Sequence, residues 1–294
     1  MSKSKFSDEI KQEILSKSDR MTAKELAKEY GSSRSFVLKL WMDNDYHKPP
    51  SFKYYVNQDY FKEINTAKKA YFLGFISADG CVYKREKHQG LLSISIQKRD
   101  DEMLKQMIID MDSTHHLLYR SNYCTLAITS DSIYQDLLNL GVSQRKSWSI
   151  RFDEIIKHVP NEFIRDYIRG YFDGNGSISK TEGVIQSKVA VSIVTNIWFL
   201  EEMGEYLNGI GLTCSVKEDT SGQYSDRFGA LNVIGTTNKY SFLNYLYKDS
   251  EIYLERKYNR YLDYKDKVDK NYTNRSENRV AVIEYDKFKK QLAS

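Results

Sequence analysis

Two short segments of this 294-residue chain repeat one another, and each ends in an oxygen-bearing side chain where a helix should stop. Residues 70–80 read AYFLGFISADG and residues 166–176 read DYIRGYFDGNG. Asp79 and Asn175 occupy matched positions in the two copies. A carboxylate at a helix C-terminus faces the negative end of the helix dipole, which costs a few tenths to about 1 kcal/mol. It becomes favourable when a cation sits beside it, and hard divalent ions such as Mg²⁺ prefer carboxylate and carbonyl oxygens. Asp79 with the backbone oxygen of Ala78, and Asn175 with that of Gly174, are therefore the candidate metal ligands. A metal there would activate water and neutralise charge in the hydrolysis of a phosphodiester. A lone Ala-Asp-Gly is an ordinary helix-ending turn; its recurrence at a constant offset after a matching helix gives it weight.

The elements that must hold these groups are legible from the same segments. Gly74 and Ala78 lie four apart on one helix face, as do Gly170 and Gly174. Glycine inside a helix costs about 1 kcal/mol relative to alanine. Two helices that accept this at matched positions are expected to pack backbone to backbone around a pseudo-two-fold axis, bringing residues 79 and 175 together. Gly80 is suited to a C-terminal helix cap. After each motif come strand, turn and alternating strand, Leu92–Gln97 and Val189–Val194, then a helix, two short strands and a closing helix. The chain thus predicts an α+β fold of two pseudo-symmetric αββαββα halves, at 58–152 and 160–265, with a polar tail at 266–294. Each half closes on a basic stretch, ending in Lys146-Ser147 and in Arg256-Lys257.

Leu73–Gly80 and Ile168–Gly176 resemble the paired motifs of single-chain LAGLIDADG homing endonucleases, and the lead-in Asp59–Thr66 resembles the phage and bacterial branch. That resemblance implies sheets saddled over double-stranded DNA and a monomer cutting both strands of a long specific site with Mg²⁺, for which Mn²⁺ can substitute. It also implies a mobile-element role, as in intron homing. It carries the catalytic acid onto Asp79, while the matching position is Asn175, which offers a carbonyl oxygen and no charge. Asp173 lies two residues earlier, opposite Ser77, and does not replace it. Unequal cutting of the strands, nicking of one, loss of cleavage with retained binding, or an engineered Asn all fit this difference. The family's basic catalytic residue has Lys146 and Lys257 as candidates, which serve equally as phosphate contacts. By strand parity Ser93, Ser95, Gln97 and Arg99 face DNA, with Lys84, Arg85 and Lys87 in the first turn and Lys180, Gln186 and Lys188 as counterparts.

The first 45 residues form a different module. Thr22 and Glu25 make a capping box, Gly31 breaks the helix, and Ser35–Trp41 is helical again. Ala27, Gly31 and Val37 are spaced as in a helix-turn-helix, with Leu26, Tyr30 and Leu40 as core. Ser32, Ser33, Arg34, Ser35 and Lys39 then face a groove or phosphates, and 46–57, with Pro49-Pro50, is a linker. The alternative is a helical hairpin that merely packs. A net charge of +4 is mildly basic and weak evidence for nucleic acid by itself. The 23 Tyr suit a polyanion surface, but most are expected as half-buried strand residues. Cys81, Cys124 and Cys214 lack any C-x-x-C spacing, against a disulfide framework or Cys-based zinc site. No apolar run suits a membrane span or secretory leader, so a cytoplasmic location in a phage or bacterial host cell is expected. A non-cleaving DNA-binding regulator or RNA-splicing maturase is the rival reading, which Asn175 favours and Asp79 opposes. His115-His116 is expected as a strand-loop pair, and no P-loop or dinucleotide fingerprint is present.

Overall fold

The computed structural model describes residues 6–18, 20–44, 46, 54–86, 88–144, 146–180, 189–219 and 228–273. They fall into two compact units. One runs to Asn57 and takes in Gln106–His116; the other holds Gln58–Lys105 and the chain from Leu117.

The first unit opens with three helices, α1 (Asp8–Ser16), α2 (Ala23–Glu29) and α3 (Arg34–Asp43). Each starts at a hydroxyl that satisfies an orphan backbone donor: Ser7 accepts from Ile10, Thr22 from Glu25 and Ser33 from Phe36. Glu25 returns the bond to Thr22, completing the capping box, and Gly31 turns the chain at φ +58°. The sequence pattern pointed to two helices here. The added α1 contributes Ile14 to a core with Leu26, Val37 and Trp41, and Trp41 Nε1 donates to buried Ser18 Oγ at 2.6 Å.

The chain then enters α4 (Ala67–Asp79), β1 (Gly80–Tyr83), β2 (Leu91–Gln97), α5 (Asp101–Asp110), β3 (Leu118–Tyr119), β4 (Tyr123–Thr129) and α6 (Asp131–Asn139). Two short helices, α7 (Lys146–Ser149) and α8 (Phe152–Ile156), connect to the repeat. It consists of α9 (Ile164–Asn175), β5 (Gly176–Lys180), β6 (Val189–Asn196), α10 (Ile197–Gly209), β7 (Cys214–Glu218), β8 (Phe228–Val233) and α11 (Thr236–Tyr247). Both repeats are αββαββα, and the fold is α+β as the pattern required. Their antiparallel sheets share one topology, β1-β2-β4-β3 and β5-β6-β8-β7. Alternation decides the faces: Leu92, Ile94 and Ile96 are buried, as are Val189, Val191 and Ile193.

Two expectations change. A last helix, α12 (Glu255–Thr273), continues past residue 265, where a polar tail was expected to begin. Tyr261, Tyr264 and Val268 recur at helical spacing and are buried, which holds it to the body. Residues 274–294 lie outside the described residues. Tyrosine, expected mostly in strands, instead fills helix cores: Tyr71, Tyr167, Tyr171, Tyr245 and Tyr247 are among the largest fully buried side chains.

Candidate functional site

The site is built on the contact between α4 and α9. A Cβ added at Gly74 would collide with the carbonyl oxygen of Tyr167 and stand 2.9 Å from Tyr171 N. One added at Gly170 would collide with the carbonyl oxygen of Tyr71 and stand 3.0 Å from Phe75 N. These clashes are mirror images under the repeat, so the two helices touch backbone to backbone about a pseudo-two-fold axis. Gly80 differs from the cap expected of it. Its backbone is extended at φ −71°, not left-handed. Its lack of a side chain matters because a Cβ would lie 2.7 Å from Ile76 O; Gly176 makes the same approach to the Phe172 ring.

This packing sets the helix tips side by side. A Cβ at Gly174 would meet the Ala78 methyl and lie 3.4 Å from Asp79 Oδ2, so the Asp79 carboxylate reaches the partner helix next to Asn175. Asp79 is the last residue of α4 and solvent-exposed, yet desolvation by its surroundings raises its carboxyl above the usual range, against Lys146, Lys257 and Arg256. Asn175 Nδ2 donates to Tyr171 Oη at 3.3 Å, leaving its carbonyl oxygen as the group it can offer. Tyr171 in turn bonds Thr195 at 2.9 Å.

Each half adds one lysine to its own helix end. Lys146 Nζ donates to the carbonyl oxygen of Ser77 at 2.9 Å and also to that of Ala78. Lys257 Nζ, almost fully buried, donates to those of Phe172 at 2.6 Å and Asp173 at 2.8 Å. Both ammonium groups meet the negative end of a helix dipole and satisfy carbonyls with no partner within the helix. Burial nevertheless lowers both lysines to about 8. The Ala78 oxygen, expected as a metal ligand, accepts a hydrogen bond from Lys146 and keeps its second lone pair. Lys146, Lys257 and Arg256 stand near Asp79, while Asp173 faces Lys257 and Asp100 pairs with Arg256 at 2.9 Å.

Sequence spacing did not reveal what Asp173 does. It is fully buried, and its carboxylate accepts from Tyr247 Oη at 2.6 Å, Tyr71 Oη at 2.8 Å and Leu254 N at 2.7 Å. It thereby joins both motif helices to the backbone that leads into α12 and Lys257. Desolvation raises its carboxyl, with Lys257 pulling the other way. Its repeat partner Ser77 faces Tyr167 where Asp173 faces Tyr71. The one available signal was a charged residue on the motif helix's packing side.

The other candidates divide. Ser93, Ser95 and Gln97 lie on the outward face of β2, while Arg99 stands exposed in a 3-10 turn, Lys98–Asp100, beyond the strand's end. Lys84 pairs with Asp131 at 2.7 Å, a local tie; Arg85 is exposed. Lys180 ends β5 opposite Val189. Lys87, Gln186 and Lys188 lie outside the described residues. On the second sheet the outward positions that spacing missed include Ser177, Ser179, Ser192, Ser215, Lys217 and Asn232. In α3, Ser33 is spent on capping, while Arg34, Ser35 and Lys39 are exposed and Ser32 is half-buried. His115 Nδ1 bonds Ser113 at 2.8 Å. Among the described residues no group of three His, Cys, Asp or Glu could hold a metal ion, and no helix is long and apolar enough to cross a membrane.

Fold and site define a two-half α+β protein whose paired glycine-faced helices bring the side chains of Asp79 and Asn175 to adjacent tips. Residues 162–247, within the second half, match the family described as LAGLIDADG-like domain. A curated protein from Methanocaldococcus jannaschii, described as a probable translation initiation factor IF-2, is 22% identical over 225 residues. These are 76% of this chain and 18% of that protein, so the chain spans under a fifth of that relative's length. Among solved structures, the LAGLIDADG homing endonuclease I-SmaMI bound to cleaved DNA is similar at 15% identity and a TM-score of 0.46, covering 69% of this chain and 90% of that one. The LAGLIDADG homing endonuclease I-LtrWI bound to target DNA is 12% identical with a TM-score of 0.46, covering 74% and 92%.

Proposed function

We propose that this protein is a site-specific DNA endonuclease that hydrolyses phosphodiester bonds with a divalent metal and cuts its two strands unequally. The observation carrying this reading is the helix pair: Gly74 and Gly170 set Asp79 against the tip that bears Asn175, with a lysine lodged at each helix end. Two scissile phosphates need two related sites, and a pseudo-two-fold axis supplies them. The two sites share one carboxylate.

The donors suit Mg²⁺ or Mn²⁺, because the Asp79 carboxylate, the Asn175 amide oxygen and the Gly174 carbonyl are all hard oxygens. They are few. Lys146, Lys257 and Arg256 are matched by Asp79, Asp173 and Asp100, and phosphate oxygens would be needed to complete the ligand set. Held by these oxygens, a divalent ion would supply an activated water and offset charge on the reacting phosphate. Asp79 holds it by charge and Asn175 by a dipole, so the strand served from the Asn175 side has the higher barrier. Lys146 and Lys257 stand as candidate phosphate contacts or proton acceptors; titrating near 8, each is partly neutral at slightly alkaline pH. The outward faces of both sheets, with Ser93, Ser95 and Gln97, lie along the DNA. The α2–α3 pair acts as a helix-turn-helix that adds phosphate contacts through Arg34, Ser35 and Lys39.

Supercoiled plasmid carrying a selected target, incubated with Mg²⁺, should accumulate nicked circles before linear product, and Asn175→Asp should speed the slow strand. Equal first-cut rates on both strands would contradict this role for Asn175. The alternative, a DNA-binding protein without cleavage, is favoured by Asn175 and by the engagement of its amide with Tyr171. It predicts a specific gel shift with no product in Mg²⁺ or Mn²⁺.

A further inference from the structure

The two outward sheet faces carry different chemistry at matched positions. Gly80 pairs with Ile94 and Gly176 with Ile193, which fixes the correspondence of the strands. Ser95 then matches Val194, and the cross-strand pairs Ser95↔Thr125 and Val194↔Ala230 match each other. In the first half, Ser95 Oγ and Thr125 Oγ1 lie 2.8 Å apart, a hydroxyl pair able to donate and accept. In the second half the same place holds only methyl groups. Beside it, Phe228 and Trp148 meet edge to face at 5.7 Å. Val194 is 50% and Trp148 44% exposed.

Exposed apolar side chains scattered singly need no explanation. These are gathered: Val194 and Phe228 line one small cavity with Asn175 and Lys146. Nearby outward positions Ser177, Ser192 and Asn232 are polar, and Lys217 stands opposite Ala230 where Leu118 stands opposite Thr125 in the first half. A duplex face offers little apolar surface, and its most distinctive apolar group is the C5 methyl of thymine in the major groove. We infer that Val194, with Ala230 beside it, reads a thymine methyl close to the cleavage centre in one half-site, while Ser95 and Thr125 read a hydrogen-bonding edge at the matched position of the other. The inference rests on the proposed DNA-binding reading. It makes the target asymmetric near its centre and ties that asymmetry to the half bearing Asn175.

The test uses the full chain, without divalent metal, and two random-sequence duplex libraries identical except that one contains thymine and the other uracil. Bound duplexes are recovered and sequenced. Thymine should be enriched at one or two positions on one side of the centre, and that preference should fall about 4-fold to 10-fold in the uracil library. Val194→Ser should abolish it and leave other positions unchanged; at a half-exposed site this variant folds, as its circular dichroism would report. Ser95→Val should create the mirror preference on the other side. Equal enrichment in both libraries, or a thymine preference untouched by Val194→Ser, overturns the inference while the DNA-binding reading stands. Failure to enrich any sequence in either library overturns both.

Discussion

Desolvation raises the Asp79 carboxyl in spite of three nearby cations, and its removal tests whether the group serves chemistry or structure. Asp79→Asn should reduce cleavage of both strands more than about 100-fold while specific DNA binding in the absence of metal persists. A loss of binding of the same size would make Asp79 a structural residue. For Lys257 the sign of the pH dependence follows from burial. Its pKa is lowered to about 8 in the folded chain from an ordinary 10.5, so between these values the unfolded chain holds more protons. Stability from this group therefore rises with pH across that window, and the cost of its charge is fully present below it. Wild type should gain on the order of 2 kcal/mol relative to Lys257→Met between pH 7.5 and 10, measured by urea denaturation at each pH. A difference independent of pH would place the lysine in an unperturbed setting. Asp173→Ala should strand Tyr71, Tyr247 and Leu254 N together, costing about 3 kcal/mol.

At the scale of elements, the decisive contact is between α4 and α9. Both glycines face a carbonyl, and neither neighbour can yield, because the atoms met are backbone within helices. Gly170→Ala and Gly74→Ala should each destabilise by about 3 kcal/mol and separate the tips enough to slow cleavage of both strands. Thermal unfolding and strand-resolved kinetics on the same variants would check this; an unshifted melting temperature would mean that the helices are not in backbone contact. The sheets obey a simpler rule. Alternation in β2 and β6 settles which residues are buried, and what remains outward mixes polar groups with Leu118 and Tyr123 in the first half and Val194 and Phe228 in the second. The linker helices α7 and α8 belong to both halves in effect: Lys146 caps α4, while Trp148 O accepts from Asn196 and Phe152 N donates to Glu202 at 2.8 Å.

For the whole molecule, charge is mild overall and local in effect. Arg34 and Lys39 are exposed on α3, and as phosphate contacts they should act on all sequences alike. Arg34→Ala and Lys39→Ala should each lower the slope of log affinity against log salt by about 1, with no change in the selected target. A changed target preference would instead assign base readout to α3. The pseudo-symmetry of the second unit is structural, not chemical. Its two halves share topology and helix contact, yet differ at residues 79 and 175, at 77 and 173, and at 95 and 194. Under the proposed function, the difference at 79 and 175 would make the two DNA strands unequal, while that at 77 and 173 is one of packing.

The sequence by itself determined the repeat, the αββαββα order of each half and the glycine-faced helices, because these are periodic and local: spacing of 2 or 3.6 and a constant offset survive without coordinates. It also placed Asp79 and Asn175 at matched helix ends. It placed Gly80 at the end of α4 but did not settle its conformation, since a glycine kept for close approach and one kept for a left-handed turn look alike in a string of letters. It read tyrosine as a strand residue because propensity carries no knowledge of which helix is buried. Only the tertiary structure decided that Asp173 joins two halves through Tyr71, Tyr247 and Leu254, that Lys146 donates to the Ala78 carbonyl, and that Phe228 meets Trp148 and lines a cavity with Val194. Those arrangements depend on contacts between residues far apart in the chain, and their energy is set by burial and by the distances at which separate elements meet.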